Sequence, residues 1–154
     1  MKFLLSILLL SITSAIFAEN DKLPSSCKAV EMNEAAFILS TEKPTLVMIS
    51  NLSKVDLWLT HPSSDSGASA GWSSRLEAGN WSALALEEKS FEINCIESKP
   101  GHEQQIPCAK AISACKWPMV KSDKEKGSFW AGENMNLPAL ISHLEGRGFK
   151  LPAS

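Results

Sequence analysis

The sequence predicts an all-β protein, an antiparallel β-sandwich of about eight short strands with one C-terminal helix, held together by disulfides. Apolar and polar residues alternate with a period of two in many stretches after residue 35, as they do in strands that bury one face. Clusters of turn-forming residues, such as 42–44 and 99–101, separate these stretches. A helical period is clear only near the C-terminus. Together these three patterns favour sheets built from short antiparallel strands.

Residues 1–18 have the layout of a secretory signal peptide, with Lys2 in a short charged start, an apolar core and a small-residue exit that ends at Ala18. The apolar run is shorter than the roughly 20 residues that span a bilayer. We therefore expect cleavage after Ala18, a single domain over 19–154, and no stable membrane insertion after cleavage. This interpretation predicts a periplasmic or secreted protein; an uncleaved membrane anchor is the alternative.

The predicted strands follow one another at short intervals. The clearest one has Leu57 and Leu59 on one face and Trp58 on the other. In chain order, the strands are predicted at 35–40, 45–51, 55–60, 72–76, 81–86, 91–95, 105–114 and 128–133. The Ser-, Gly- and Ala-rich interval 61–71 predicts a surface loop, which is either a binding loop or a tolerated insertion without function.

The helix is predicted directly after Asn136, which is a good N-cap, and Pro138 fits its first turn, where a missing N–H costs nothing. Gly146 and Gly148 end it. Its apolar residues recur at helical spacing and are Leu137, Leu140, Ile141 and Leu144. We expect this apolar stripe to cover an open end or edge of the sandwich.

Four cysteines predict two disulfides in an exported chain. Cys27, Cys95, Cys108 and Cys115 lack the closely spaced pair of a structural zinc site. A turn at 99–101 would bring Cys95 and Cys108 together in a hairpin. On one regular strand, Cys108 and Cys115 would point to opposite faces. We therefore favour Cys95–Cys108 with Cys27–Cys115; Cys27–Cys95 with Cys108–Cys115 is the alternative if the strand is broken.

The composition and motifs argue against several functional classes. A net charge of −2 gives no basis for binding nucleic acid. Residues 67–71 match G-x-S-x-G, but they lack the preceding strand and following helix of a nucleophile elbow, so no catalytic residue is assigned and no enzyme is expected. No metal or cofactor is assigned either. A cupredoxin-like metal or small-ligand carrier is the alternative; its copper site would use Cys115 and Met119, although no histidine lies between them.

Five tryptophans are many for a chain of this size. Trp72, Trp81 and Trp117 flank predicted turns and are a possible binding surface for a protein, glycan or peptidoglycan ligand. Packing of these indoles in the core and at its rim is the alternative.

The sequence over roughly 27–151 resembles the enhanced-entry protein B (EnhB) family, small exported proteins of intracellular bacterial pathogens. The resemblance is carried by the placement of Cys, Trp and Gly, in the stretches 79–82, 128–134 and 147–149 and around the last three cysteines. It implies an accessory protein linked to host-cell entry, which works beside a larger repeat-containing protein of the same system. It implies no catalytic residues.

The combined expectation is a non-enzymatic, exported protein that binds another envelope or secreted protein.

Overall fold

The computed structural model of the protein describes residues 23–33, 37–40, 42–62, 73–119 and 127–152. The predicted signal peptide, Trp72 and nearly all of the predicted 61–71 loop lie outside these residues.

The described part of the chain is mostly strand. The strands, in chain order, are β1 (Lys28–Ala29), β2 (Phe37–Ser40), β3 (Thr45–Asn51), β4 (Leu57–Thr60), β5 (Ser73–Leu76), β6 (Trp81–Leu86), β7 (Ser90–Glu97), β8 (Gln104–Ile106), β9 (Ile112–Pro118) and β10 (Phe129–Met135). The helices are α1 (Cys108–Ala111) and α2 (Leu137–Gly146). Neither helix has the length and apolar character that crossing a bilayer requires, among the residues described.

The strands form two antiparallel sheets. Sheet A is five-stranded, in the order β1-β9-β3-β6-β10. Sheet B has the order β2-β7-β4-β5, and β8 also pairs with β7. The antiparallel β-sandwich with one C-terminal helix that the sequence predicted is therefore confirmed.

The main core lies between the two sheets. Val47 and Leu84 project into it from sheet A, and Leu59, Phe91 and Ile93 from sheet B. These side chains are at most 1% exposed. Their alternation with residues on the opposite faces is the period of two that the sequence displays.

A second core lies on the outer face of sheet A, under α2. Met48 and Ala83 of the sheet pack there with Leu140 and Leu144 of the helix, and Phe149 closes one side. Because sheet A is covered on both faces, β3 and β6 are buried along their whole length. The expectation that α2 covers an open end or edge of the sandwich is thus wrong, since the helix lies across the face of sheet A.

The predicted strand 105–114 is also wrong as a single element. Pro107 and the helical turn α1 separate β8, which pairs with β7 in sheet B, from β9, which pairs with β3 in sheet A. The chain crosses from one sheet to the other at this point, and a straight strand cannot belong to both sheets.

Both favoured disulfides are confirmed. Cys27–Cys115 has its Cα atoms 5.4 Å apart, and Cys95–Cys108 has them 5.3 Å apart. The second pair forms because Cys95 lies opposite Ile106 in the ladder and Cys108 lies only two residues after Ile106. Cys108 and Cys115 do not pair with each other, as predicted, although α1 interrupts the regular strand on which that prediction depended. Two disulfides are consistent with a protein that resides outside the cytoplasm.

Helix α2 begins and ends as its sequence predicts. The Asn136 side chain accepts a hydrogen bond from the backbone N–H of Ala139 at 2.9 Å. At the other end, Gly148 adopts a left-handed φ of 88° and the chain turns away. The Arg147 guanidinium donates to the carbonyl of Ala131 in β10 and lies over the Phe129 ring, which fastens the helix end to sheet A.

Candidate functional site

An open groove of about 630 Å³ lies where α2 and both ends of the described chain meet. Its N-terminal wall is 23–25, its C-terminal wall is 151–152, and Leu137 and Ile141 of α2 form the wall between them. Trp117 of β9 forms the floor. Most of the lining is apolar, and the volume is in the range of pockets that bind small molecules or short peptide segments.

The N-terminal wall is held in place covalently. Cys27 is bonded to Cys115, which lies two residues from Trp117 on the same face of β9. The backbone N–H of Cys27 also donates to the carbonyl of Pro24 at 3.1 Å, so that 24–27 form a tight turn. Leu23 packs against the second core, under α2. The disulfide therefore sets the distance between the N-terminal wall and the floor.

The helical wall is positioned by the opposite side of α2. Leu140 and Leu144 are fully buried against sheet A, which fixes the rotation of the helix about its axis. Leu137 and Ile141 lie four residues apart, on a neighbouring side, and are only half-buried. The same apolar stripe thus anchors the helix and supplies an apolar surface to the groove.

The floor carries an unsatisfied hydrogen-bond donor. Trp117 is 3% exposed, and its indole Nε1 has no hydrogen-bond partner among the described residues. Buried indole N–H groups ordinarily find an acceptor. The Nε1 atoms of Trp81 and Trp130 are likewise buried without a described partner, so this feature is shared by three indoles and does not mark the groove.

The polar groups of the groove lie on its walls. Ser25 and Ser142 contribute hydroxyls, and Glu145 contributes the carboxylate, the one charged side chain in the described lining. Because the lining has this carboxylate and no described cation, it disfavours an anionic group inside the groove itself.

The structure corrects the predicted tryptophan surface. Trp81 is 1% exposed and Trp117 is 3% exposed, because both project from sheet A into the core beneath α2. Neither position presents an exposed indole face, and Trp81 is not in the groove lining. Trp72 lies outside the described residues, so the third member of the predicted surface has no described position. Only Trp117 is brought into a concave site.

The cysteines and histidines do not form a metal site in the described ranges. No group of three or more His, Cys, Asp or Glu side chains there is arranged to hold an ion. The copper site considered from the sequence needed the Cys115 thiolate, but that sulfur is in a disulfide. Cys115 is therefore not available as a copper ligand in this structure. His61 stacks on Phe91, and its Nδ1 lies 2.7 Å from the carbonyl oxygen of Glu92, which gives it a structural contact.

The perturbed titratable pair lies away from the groove, on sheet B. The Arg75 guanidinium donates to the Asp56 carboxylate at 2.5 Å, and this hydrogen bond lowers the pKa of Asp56 from its ordinary value. Both side chains are partly exposed, at 51% for Arg75 and 30% for Asp56. Their role is to join β5 to the segment before β4 at the surface.

Comparison with protein-family models, with curated proteins and with solved structures found no match to this chain.

Several groove residues were missed by sequence reasoning. Leu23 and Leu151 lie in segments where apolar residues recur with neither the strand nor the helix period. They line one groove only because both ends of the described chain run beside α2. Two signals were nonetheless present. The disulfide predicted between Cys27 and Cys115 places the N-terminal segment beside β9, and Ile141 lies at the side of the apolar stripe rather than at its centre.

Proposed function

We propose that this protein is a non-enzymatic, exported protein, periplasmic or secreted, that binds an apolar segment of another protein in its groove. The observation that carries the proposal is the groove itself, an open apolar concavity with a tryptophan floor, between a helix and a disulfide-anchored wall.

The walls support binding because they are fixed before a partner arrives. The N-terminal wall is fastened by Cys27–Cys115, and α2 is fastened by its buried leucines and its two capped ends. Walls that are already ordered lower the entropic cost of binding a partner. The half-buried side chains of Leu137 and Ile141 still offer apolar area that a partner would remove from water.

The N-terminal sequence and the disulfides support the proposed place of action. Residues 1–18 have the signal-peptide layout, and two disulfides suit an oxidising compartment. In line with the sequence resemblance, the partner that we propose is a larger repeat-containing protein of a host-cell entry system.

The proposal is tested by purifying the native protein complex with a groove variant and a matched control. Ile141→Glu puts a charge into the groove wall, whereas His143→Glu puts the same charge on an exposed position of the same helix. We expect one partner to co-purify with the wild type and the control, and to be lost with Ile141→Glu. Equal recovery with both variants would contradict a role for the groove.

A further inference from the structure

Three lysines surround a second, smaller concavity beside the groove. Lys28, Lys43 and Lys116 line a space of about 190 Å³, together with Thr45, Trp117 and two prolines. We call it the lysine concavity. Lys28 and Lys116 lie directly opposite each other in the β1–β9 ladder, so their side chains leave the sheet on the same face.

This arrangement concentrates positive charge on a protein whose net charge is −2. Like charges directly opposite each other on neighbouring strands are destabilising. Among the described residues, neither Lys28, Lys43 nor Lys116 forms an ion pair, since the described ion pairs join Arg75 to Asp56 and Lys99 to Glu97. The fold thus holds three cations together without a described anion to offset them.

The lysine concavity and the groove are adjacent. Trp117 lines both of them, and Lys116 precedes it in β9, so that the Lys116 side chain leaves the opposite face of sheet A from Trp117. On the N-terminal side, Ser25 lines the groove and Lys28 lines the lysine concavity, three residues later. Three residues span at most about 10 Å of chain. One bound segment can therefore contact both places by passing the edge of sheet A at β1.

We propose that the partner carries an acidic stretch directly beside its apolar segment, so that the apolar part fills the groove and the carboxylates lie at Lys28, Lys43 and Lys116. This inference rests on the proposed function and adds the chemistry of the partner. The occupant is a protein segment and not a phosphate-bearing polymer or lipid surface, because only three lysines are gathered there and the neighbouring groove carries Glu145.

The test uses three labelled synthetic peptides that share one apolar block and differ in the flank, which is a run of glutamates, of serines or of lysines. Binding to the full mature protein is followed by fluorescence anisotropy at low and high salt. We expect the glutamate peptide to bind most tightly and the lysine peptide least tightly. Raising the salt should bring all three affinities together, because screening acts on exposed charges and not on apolar contact.

Lysine variants localise the effect. Lys28→Gln and Lys116→Gln should each weaken binding of the glutamate peptide by about 1.5- to 5-fold, the range for exposed ion pairs, and leave the serine peptide unchanged. Lys110→Gln is the matched control, because Lys110 is exposed on α1, at the opposite end of β9. It should bind all three peptides as the wild type does.

The outcomes separate this inference from the proposed function. If all three peptides bind equally and Ile141→Glu abolishes their binding, the groove binds but the lysine concavity does not contribute, and the inference is wrong. If the protein binds the three peptides with equal affinity and the lysine variants instead lose binding to vesicles of anionic phospholipid, the lysines face a membrane and the inference is also wrong. Loss of the partner's co-purification is the separate criterion for the groove.

Discussion

The contact between α2 and β10 depends on Gly132, and Gly132→Ala tests it. A methyl group at this position would overlap Cδ1 of Leu140 and approach Cδ2 of His143 to 3.2 Å. Leu140 is fully buried in the core beneath the helix, so its side chain must change rotamer at the expense of its packing, or α2 must move away from sheet A.

Overpacking of this kind costs about 1–3 kcal/mol of unfolding free energy. An outward shift of α2 would also move Leu137 and Ile141 and weaken binding in the groove, whereas a change of the Leu140 rotamer alone would leave that binding unchanged. Gly146→Ala is the matched control. Nothing lies within 4 Å of a Cβ built there, and the residue is the last of α2, so alanine should be neutral or stabilise by up to about 1 kcal/mol.

Urea unfolding of the oxidised protein measures these changes. Leu140→Ala alone should cost about 2.7–5 kcal/mol, the range for a buried leucine. Combined with Gly132→Ala, it vacates the space that the new methyl needs, so the double variant should be less destabilised than the sum of the two by at least about 0.5 kcal/mol. Strict additivity, or a Gly132→Ala variant as stable as the wild type, would refute the close approach of helix and strand.

Leu144→Ala should lower the free energy of unfolding by about 2.7–5 kcal/mol in the same urea assay, because Leu144 is fully buried. His143 is exposed, so His143→Ala should change it by less than about 0.5 kcal/mol. Equal effects would mean that another face of the helix is buried. Replacing Cys27 and Cys115 by serine should destabilise the protein by about 4–5 kcal/mol in the chain-entropy model and weaken groove binding, whereas removing the other disulfide should leave the groove walls joined. Non-reducing peptide mapping checks the pairing, and a disulfide-linked peptide that joins Cys27 to Cys95 or Cys108 would contradict it. The pKa of Asp56 is lowered in the folded state, so its carboxylate stabilises the protein above pH about 4 and loses this effect as the pH falls. Asp56→Asn should therefore lower stability slightly at neutral pH and not at low pH. A loss of stability that persists at low pH would indicate an effect of packing instead of charge.

Local patterns were enough to predict most of the strands and α2. The alternation at Leu57 and Leu59 survives because β4 buries one face, and Asn136 with its following apolar stripe defines α2 from neighbouring residues alone. These features depend on contacts within a few residues or on one buried face, which the sequence displays directly.

The errors arose where distant segments decide the structure. The break at Pro107 reflects a passage between two sheets, and the sequence does not show which sheet each half joins. Likewise, α2 lies over the face of sheet A because β3 and β6 have apolar residues on both faces, a pattern that also fits a strand buried in other ways. Trp81 is buried because α2 covers this face of sheet A.

The groove could be predicted only in part, because it is made by the meeting of three separate segments. The cysteine pairing placed 23–27 near β9, yet the approach of 151–152 depends on how the chain leaves α2. Leu151 has no neighbours in sequence that mark it as a groove residue.

Site-specific photo-crosslinking in cells that make the protein natively tests the central claim most directly. A photoreactive residue replaces Ile141 in the groove wall or, as the control, His143 on the exposed side of the same helix. If the groove binds a protein segment, the probe at Ile141 should give one discrete adduct with an exported partner, and mass spectrometry should place the crosslink in an apolar stretch of that partner. The probe at His143 should not give this adduct. Adducts of equal yield at both positions, or none at Ile141, would contradict the claim that the groove is where this protein binds its partner.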